Sequence, residues 1–241
     1  TQKIDGFFVN DVVTGYGVAF AADEAWSFVE DKRTSGVSVI VQGFGCVGAS
    51  CAAKLAAMGY TVVGIADAKQ FVYCAQGLDI QKLISSKDKF GVMDLGRIEH
   101  AYEVTENSRW LDYPCDILIP AALEDVINSR TAPLVKARLV VEGANIPTDA
   151  DGDRILYEKK IDVVPDFIAN MGAIRFFDRV GFALIDFTAE AVVTDIDRIA
   201  RKNVKKIFEE NRRTGEYQRD IAKRLFAPTI QDEPDFNGDY L

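Results

Sequence analysis

The chain has 241 residues, 48% of them hydrophobic and 27% charged, with a formal net charge of −9. That length suits one large or two small domains burying roughly 70% of the unfolded surface, and the acidic balance excludes general affinity for nucleic acid or anionic membrane. No apolar run reaches the ~18 to 20 residues of a membrane span, and no secretory leader opens the chain.

Apolar runs alternate with helical patterns, which predicts a Rossmann-like, doubly wound α/β fold, mostly parallel, with helices on both faces. A first helix is expected over Gly17 to Asp31. "VSVIVQ" (Val37 to Gln42) is short, β-branched and apolar, the pattern of a buried strand. A small-residue helix follows from Cys46 to Met58 and stops at Gly59. The next strand is "TVVGIA" (Thr61 to Ala66), and after an irregular stretch Leu78 to Lys89 reads as helix. "CDILIP" (Cys115 to Pro120) is a third strand, with a helix expected near Asp125. Two more strands fit Ala137 to Ala144 and Ile161 to Asp166, around a helix from Asp149 to Lys160.

From Phe167 the pattern turns helical. Val192, Val193, Ile196, Ile199, Ala200, Val204, Ile207 and Phe208 form an apolar stripe at helical spacing. Gly215 interrupts it before a shorter helix over Tyr217 to Phe226. The whole chain, 1–241, then reads as one dinucleotide-binding domain with a helical segment at about 188–226 and an acidic surface tail. Lysines and arginines from Arg198 to Arg224 are interleaved with acids, the pattern of a solvated helix face. Cys46, Cys51, Cys74 and Cys115 form no CxxC and lie in apolar segments, as reduced, buried thiols of a cytoplasmic protein would. With His100 the single histidine, no metal site is expected.

Gly43-Phe44-Gly45-Cys46-Val47-Gly48 fits G-x-G-x-x-G between a strand and a helix. Gly43 permits the tight turn, Gly45 lets backbone approach a pyrophosphate, and Gly48 packs the helix on the sheet. The helix N-terminus supplies free N–H groups and partial positive charge to phosphates. Asp67 ends the next strand, where a carboxylate can accept hydrogen bonds from the adenosine ribose. It favours NAD by repelling a 2′-phosphate. Lys69 could offset that repulsion, so NADP is not excluded.

Several segments together resemble the amino-acid dehydrogenases acting on glutamate, leucine, phenylalanine and valine, the glutamate enzymes being nearest by motif. They are "TGYG" (Thr14 to Gly17), "VIVQGFGCVG", "CDILIPAALEDVI" (Cys115 to Ile127), "VEGANIPT" (Val141 to Thr148) and "VVPDFIANMG" (Val163 to Gly172). The resemblance implies reversible oxidative deamination of an L-amino acid to a 2-oxo acid and ammonia. It would put Thr14 near the nicotinamide carboxamide and Ala121 and Ala122 beside the adenosine. Asn145 would meet the nicotinamide ribose, and Asn170 the nicotinamide or the substrate. Ala121, Asn145 and Asn170 also each follow the carboxyl end of a predicted strand, where open α/β sheets bind ligands.

In that family an amino-terminal substrate domain carries the catalytic lysine and aspartate. Nothing in this sequence matches it, so no catalytic residue is expected here and the chain alone should not turn over. The first residue is not methionine, which fits a piece of a longer chain. A natural subunit working with a partner chain is the other reading, in a parent that is a homo-oligomer. A non-catalytic nucleotide-sensing subunit is the alternative function. At "ANMGAIRFFDRVGF" the chain departs from the family's "ANAGGVTVSYFEW": Phe177 stands where the glutamate enzymes use a serine, and Arg175 replaces a threonine. Glutamate as substrate is therefore in doubt. Arg175 could supply charge to a substrate, or Phe176, Phe177, Phe182 and Phe187 could form an apolar helix face against the sheet.

Overall fold

The structure, a computed structural model, describes residues 3–4, 7–30, 34–98 and 102–226; His100 and the acidic tail lie outside them. Strand β1 (Lys3–Ile4) pairs antiparallel with β2 (Phe7–Phe8) and leads into the long helix α1 (Val9–Val29). This helix begins eight residues before the expected start at Gly17. Two glycines in its first half are contact points. A Cβ on Gly15 would fall 2.0 Å from Ser50 Oγ, and one on Gly17 would fall 3.2 Å from the Ala169 carbonyl oxygen. Glycine in a helix costs about 1 kcal/mol relative to alanine, and the close packing it permits on two sides offsets that.

The remaining elements follow in chain order: β3 (Ser38–Gln42), α2 (Cys46–Ala57), β4 (Thr61–Ala66), β5 (Gln70–Tyr73), α3 (Ile80–Ser86) and β6 (Glu103–Glu106). Then come β7 (Ile117–Pro120), β8 (Leu139–Val141), α4 (Ala150–Glu158), β9 (Asp162–Val164), α5 (Asp166–Ala169), α6 (Gly172–Gly181), α7 (Ala189–Thr214) and α8 (Gln218–Phe226). The main sheet has the order β6-β5-β4-β3-β7-β8-β9. Its five strands from β4 to β9 are parallel, while β5 and β6 add an antiparallel edge that the sequence pattern did not reveal. The chain winds outward from β3 in one direction, then returns and winds outward in the other. The connections that leave the carboxyl ends of β3 and β7 therefore run in opposite directions, and the crevice between them is where such sheets bind ligands.

Alternation along each strand separates two cores. Val39, Val41, Ile117, Ile119, Leu139 and Val141 face α1 and α2, while Ile40, Leu118, Val140 and Val163 face Trp110, Ile127 and Leu156. All ten of these strand residues are at most 2% exposed, each worth ~1.5 to 3 kcal/mol of burial. Helix α1 is apolar on all sides because α7 covers it opposite the sheet; Tyr16, Phe20, Phe176, Val192, Ile196 and Ala200 fill that outer layer. Helix α7 starts at Thr188, whose side chain accepts from Ala191 N–H, and ends at Gly215, which adopts φ +73°.

The helix expected near Asp125 does not form. Asp125 takes φ +53°, and its N–H bonds the Ile146 carbonyl while Ile127 N–H bonds that of Pro147. The loop after β7 is thus tied to the loop after β8 rather than coiled on itself. The cysteines also divide: Cys51 and Cys115 are buried thiols, but Cys46 is exposed and Cys74 half-buried. Burial pushes Cys115 up to about 12 and Cys51 higher still.

Candidate cofactor site

The crevice between β3 and β7 is a cleft of about 560 Å³. Its walls include Thr14, Val47, Ala121, Ala122, Asn145 and Asn170, six residues singled out from the sequence and spread over 157 positions, here brought together. The strand ends that carry them are lashed to one another. Ala121 N–H donates to the Gln42 carbonyl, and Gly143 and Ala144 N–H both donate to that of Pro120. Thr14 comes from the second turn of α1, which Gly15 holds against α2 and Gly172 holds against the start of α6. A Cβ on Gly172 would fall 2.2 Å from the Val13 carbonyl oxygen.

The three glycines of the turn have different surroundings. Gly43 takes φ +101°, and a Cβ there would strike Ala121 and Ala122 at 2.8 Å. A Cβ on Gly48 would fall 2.0 Å from the Gly43 carbonyl oxygen, so this glycine sets the approach of α2 to the turn. A Cβ on Gly45 would meet nothing within 4 Å, and its φ of −69° suits any residue. Only Gly45 opens on space, and no side chain caps the first turn of α2 behind it. An uncapped N-terminus facing open space is what an anionic pyrophosphate needs. Phe44 is buried and can contribute only backbone, whereas Cys46 and Val47 line the approach on the first turn.

At the nicotinamide end expected from the resemblance, Asn170 Nδ2 donates to Asn145 Oδ1 at 2.8 Å and to the Ala144 carbonyl at 3.2 Å. The two asparagines hold each other, and each amide keeps further hydrogen-bonding capacity for a ligand. At the opposite end, Asp67 does close β4, but its carboxylate is turned inward. Oδ1 accepts from Lys69 and Gln70 N–H, and Oδ2 from Met93 N–H at 2.7 Å. Asp67 is 6% exposed, so a ribose hydroxyl would have to displace one of these donors. Beside it lies a cleft of about 400 Å³ lined by Lys69, Lys87, Asp88, Asp94 and Arg97. It adjoins the glycine turn, because Gly91 packs against Phe44 and Gly45.

The expectation for Arg175 is corrected. Its guanidinium points away from the cleft and grips Asp195 of α7 through two bonds, 2.6 and 3.0 Å long. The aromatic alternative is corrected too: Phe176 is buried, but in the outer layer between α1 and α7 rather than against the sheet, and Phe187 is 47% exposed. Phe177 and Phe182 are 67% and 74% exposed and do not pack on the sheet. Arg175 and then Arg198 hold the Asp195 carboxyl below its usual range. A folded-state pKa below the unfolded one means that stability is present above pH ~4 and lost as pH falls through the depressed value. Asp195→Asn should therefore flatten the acid limb of stability. It should cost about 3 kcal/mol near neutral pH, because Arg175 is left buried without its partner. Denaturant titrations from pH 7 to pH 3 check this, and parallel acid limbs for the two proteins would refute it.

A second cavity, about 290 Å³, lies at the far end of α1 among Asp23, Glu24, Tyr60 and Arg201. Its charges are already matched, with Arg201 bonded to Asp23 and Asp197 and Tyr60 donating to Asp23. It has no glycine turn and no open helix end. Among the described residues, no group of three or more His, Cys, Asp or Glu could hold a metal ion, and no helix is long and apolar enough to cross a membrane.

Comparison with known proteins bears on this cleft. Residues 6–233 match the family described as Glutamate/Leucine/Phenylalanine/Valine dehydrogenase. The chain is 40% identical over 176 residues to an NADP-specific glutamate dehydrogenase of Saccharolobus shibatae, covering 72% of this chain and 40% of that protein. It is 36% identical over 221 residues to the cryptic catabolic NAD-specific glutamate dehydrogenase of Bacillus subtilis, covering 87% of this chain and 49% of that protein. The chain thus spans less than half the length of either relative. Among solved structures, hetero-hexameric glutamate dehydrogenase from Thermus thermophilus superposes with a TM-score of 0.75 at 25% identity, over 89% of this chain and 50% of that one. L-tryptophan dehydrogenase from Nostoc punctiforme shares the fold, with a TM-score of 0.68 at 24% identity over 89% of this chain and 58% of that one.

Proposed function

The chain belongs to the glutamate/leucine/phenylalanine/valine dehydrogenase family, and we propose that it is the nicotinamide dinucleotide-binding half of an amino-acid dehydrogenase. The reaction is the reversible oxidative deamination of an L-amino acid to a 2-oxo acid and ammonia. One observation carries the reading: Val47, on the uncapped first turn of α2 just past the open Gly45, lines the same crevice as Thr14, Asn145 and Asn170.

The bound dinucleotide supplies the acceptor for the hydride leaving the amino acid's α-carbon. The residues of this chain hold and orient it. The first turn of α2 binds the pyrophosphate, the paired amides of Asn145 and Asn170 fix the nicotinamide and its ribose, and Thr14 meets the carboxamide. The chemical step and the exclusion of water belong to a second half that closes over the cleft. The surface that would meet it is unusually apolar: Leu123, Ile174, Phe177, Phe182 and Leu184 are 55 to 78% exposed at or near the rim. Patches of this kind on a folded domain mark interaction sites. In the parent protein that half would be an amino-terminal substrate domain or a partner chain within an oligomer. A non-catalytic nucleotide sensor is less well supported, since the relatives named above are dehydrogenases.

Both NAD and NADP fit the adenosine end. Asp67 spends its lone pairs on backbone N–H groups and Asp88 on those of Phe90 and Val92, while Lys69 and Lys87 have no carboxylate within ion-pair distance among the described residues. Those ammonium groups are free to meet a 2′-phosphate. Titration with NADH and NADPH, followed by nicotinamide fluorescence, tests the reading. Saturable enhancement with both is expected, with no amino-acid-dependent reduction of NAD by this chain alone. Lys69→Glu should weaken NADPH at least about tenfold more than NADH. Equal weakening of the two would remove Lys69 from the phosphate site, and no binding of either would overturn the function.

A further inference from the structure

Beneath the two asparagine loops lies a buried ionic cluster that the cofactor site does not use directly. Arg219, on α8, is 11% exposed at its side chain. Its Nη2 donates to Glu142 Oε1 at 2.6 Å, and its Nε lies 2.8 Å from Asp153 Oδ2. Nη1 lies 3.9 Å from Asp166 Oδ1. Glu142, fully buried, directly follows β8 on the way to Asn145; its Oε2 accepts from Asp166 N–H at 2.9 Å. Asp166 in turn accepts the Ile146 N–H on Oδ2 at 2.8 Å, and its carbonyl accepts the Asn170 N–H at 2.8 Å. Ile146 needs such a hold, for it is β-branched yet takes φ +47°, a region such residues rarely enter.

We propose that Arg219 is a positioning residue for the nicotinamide half of the cleft: it anchors Glu142 and Asp166, which together set the loops bearing Asn145 and Asn170. A guanidinium suits this task because its planar fork addresses several carboxylates at once, which an ammonium cannot. The glycine turn lies on the other side of β7 and shares none of these contacts. The proposal rests on reading the cleft as a nicotinamide dinucleotide site.

The test compares NADH with ADP, which carries the adenosine and pyrophosphate but no nicotinamide. In Arg219→Met the NADH Kd should rise about tenfold while the ADP Kd stays within about twofold of wild type. Arg219→Lys should recover part of the loss. Equal weakening of both nucleotides would overturn the proposal, because a merely structural role disturbs the whole site, and so would unchanged NADH binding. Should Arg219→Met fail to fold by circular dichroism, Arg219→Lys carries the same comparison, with a loss confined to NADH supporting the proposal. Wild-type chain that binds neither nucleotide would refute the cofactor reading itself and the clamp with it; wild type that binds both while the variant loses neither refutes only the clamp.

Discussion

Gly45→Val should abolish NADH binding, raising Kd about 100-fold or more, which is ~2.7 kcal/mol. The fold should survive. A Cβ at Gly45 would meet no protein atom within 4 Å and needs no unusual φ, so the stability cost should stay within ~1 kcal/mol, the scale of a helix-cap change. The loss of binding follows from where that empty space lies. It is the approach to the uncapped start of α2, and a branched side chain there keeps phosphate oxygens from the backbone N–H groups that would hold them. A fluorescence titration beside a thermal melt decides the matter. Undiminished NADH binding would remove the glycine turn from the cofactor site. A collapse of the melt would mean that Gly45 serves packing instead.

Gly15→Ala should instead destabilise the fold itself. The added methyl would lie 2.0 Å from Ser50 Oγ, 2.4 Å from the Val47 carbonyl oxygen and 2.7 Å from Cys51 N. Ser50 could rotate away, but the two backbone atoms of α2 cannot, so the helices must separate. Overpacking of this kind costs about 3 kcal/mol, or roughly 6 to 12 °C in Tm for a chain of this size. NADH affinity should fall as well, because Val47 belongs to the first turn of α2, which α1 supports. The double variant Gly15→Ala, Ser50→Ala distinguishes backbone from side-chain conflict. If the second change restored the melt, the backbone contact would not be the cause.

These two glycines mark the line between what the sequence disclosed and what it withheld. Gly43, Gly45 and Gly48 were legible because their roles are local: a strand, a turn and a helix start within a few residues of one another. The parallel core was legible for the same reason, since strands such as "VSVIVQ" and "CDILIP" announce burial by composition alone. Asn145 and Asn170 were found through motif and position after strand ends, a rule that holds for any open α/β sheet.

Other features depended on partners far along the chain. Gly15 lies before the expected helix start at Gly17, and only the packing of α2 against it shows why the helix carries a glycine there. Asp67 looked available to a ribose until the Met93 N–H, 26 residues on, was found to take its outer oxygen. Arg175 looked like a substrate ligand until Asp195 claimed its guanidinium. Arg219 read as one more cation on a solvated face, yet it is nearly buried against Glu142, 77 residues earlier.

The sequence by itself determined the five parallel strands, most of the helices, the glycine turn and the residues at the strand ends, because short-range sterics and hydrophobic periodicity dictate them. Tertiary structure alone decided which way Asp67, Arg175 and Arg219 point, and why helix α1 tolerates two glycines. The direction of a charged side chain depends on which opposite charge or, for Asp67, which backbone N–H groups the fold brings within about 3 Å, and in water that choice is nearly free until burial fixes it.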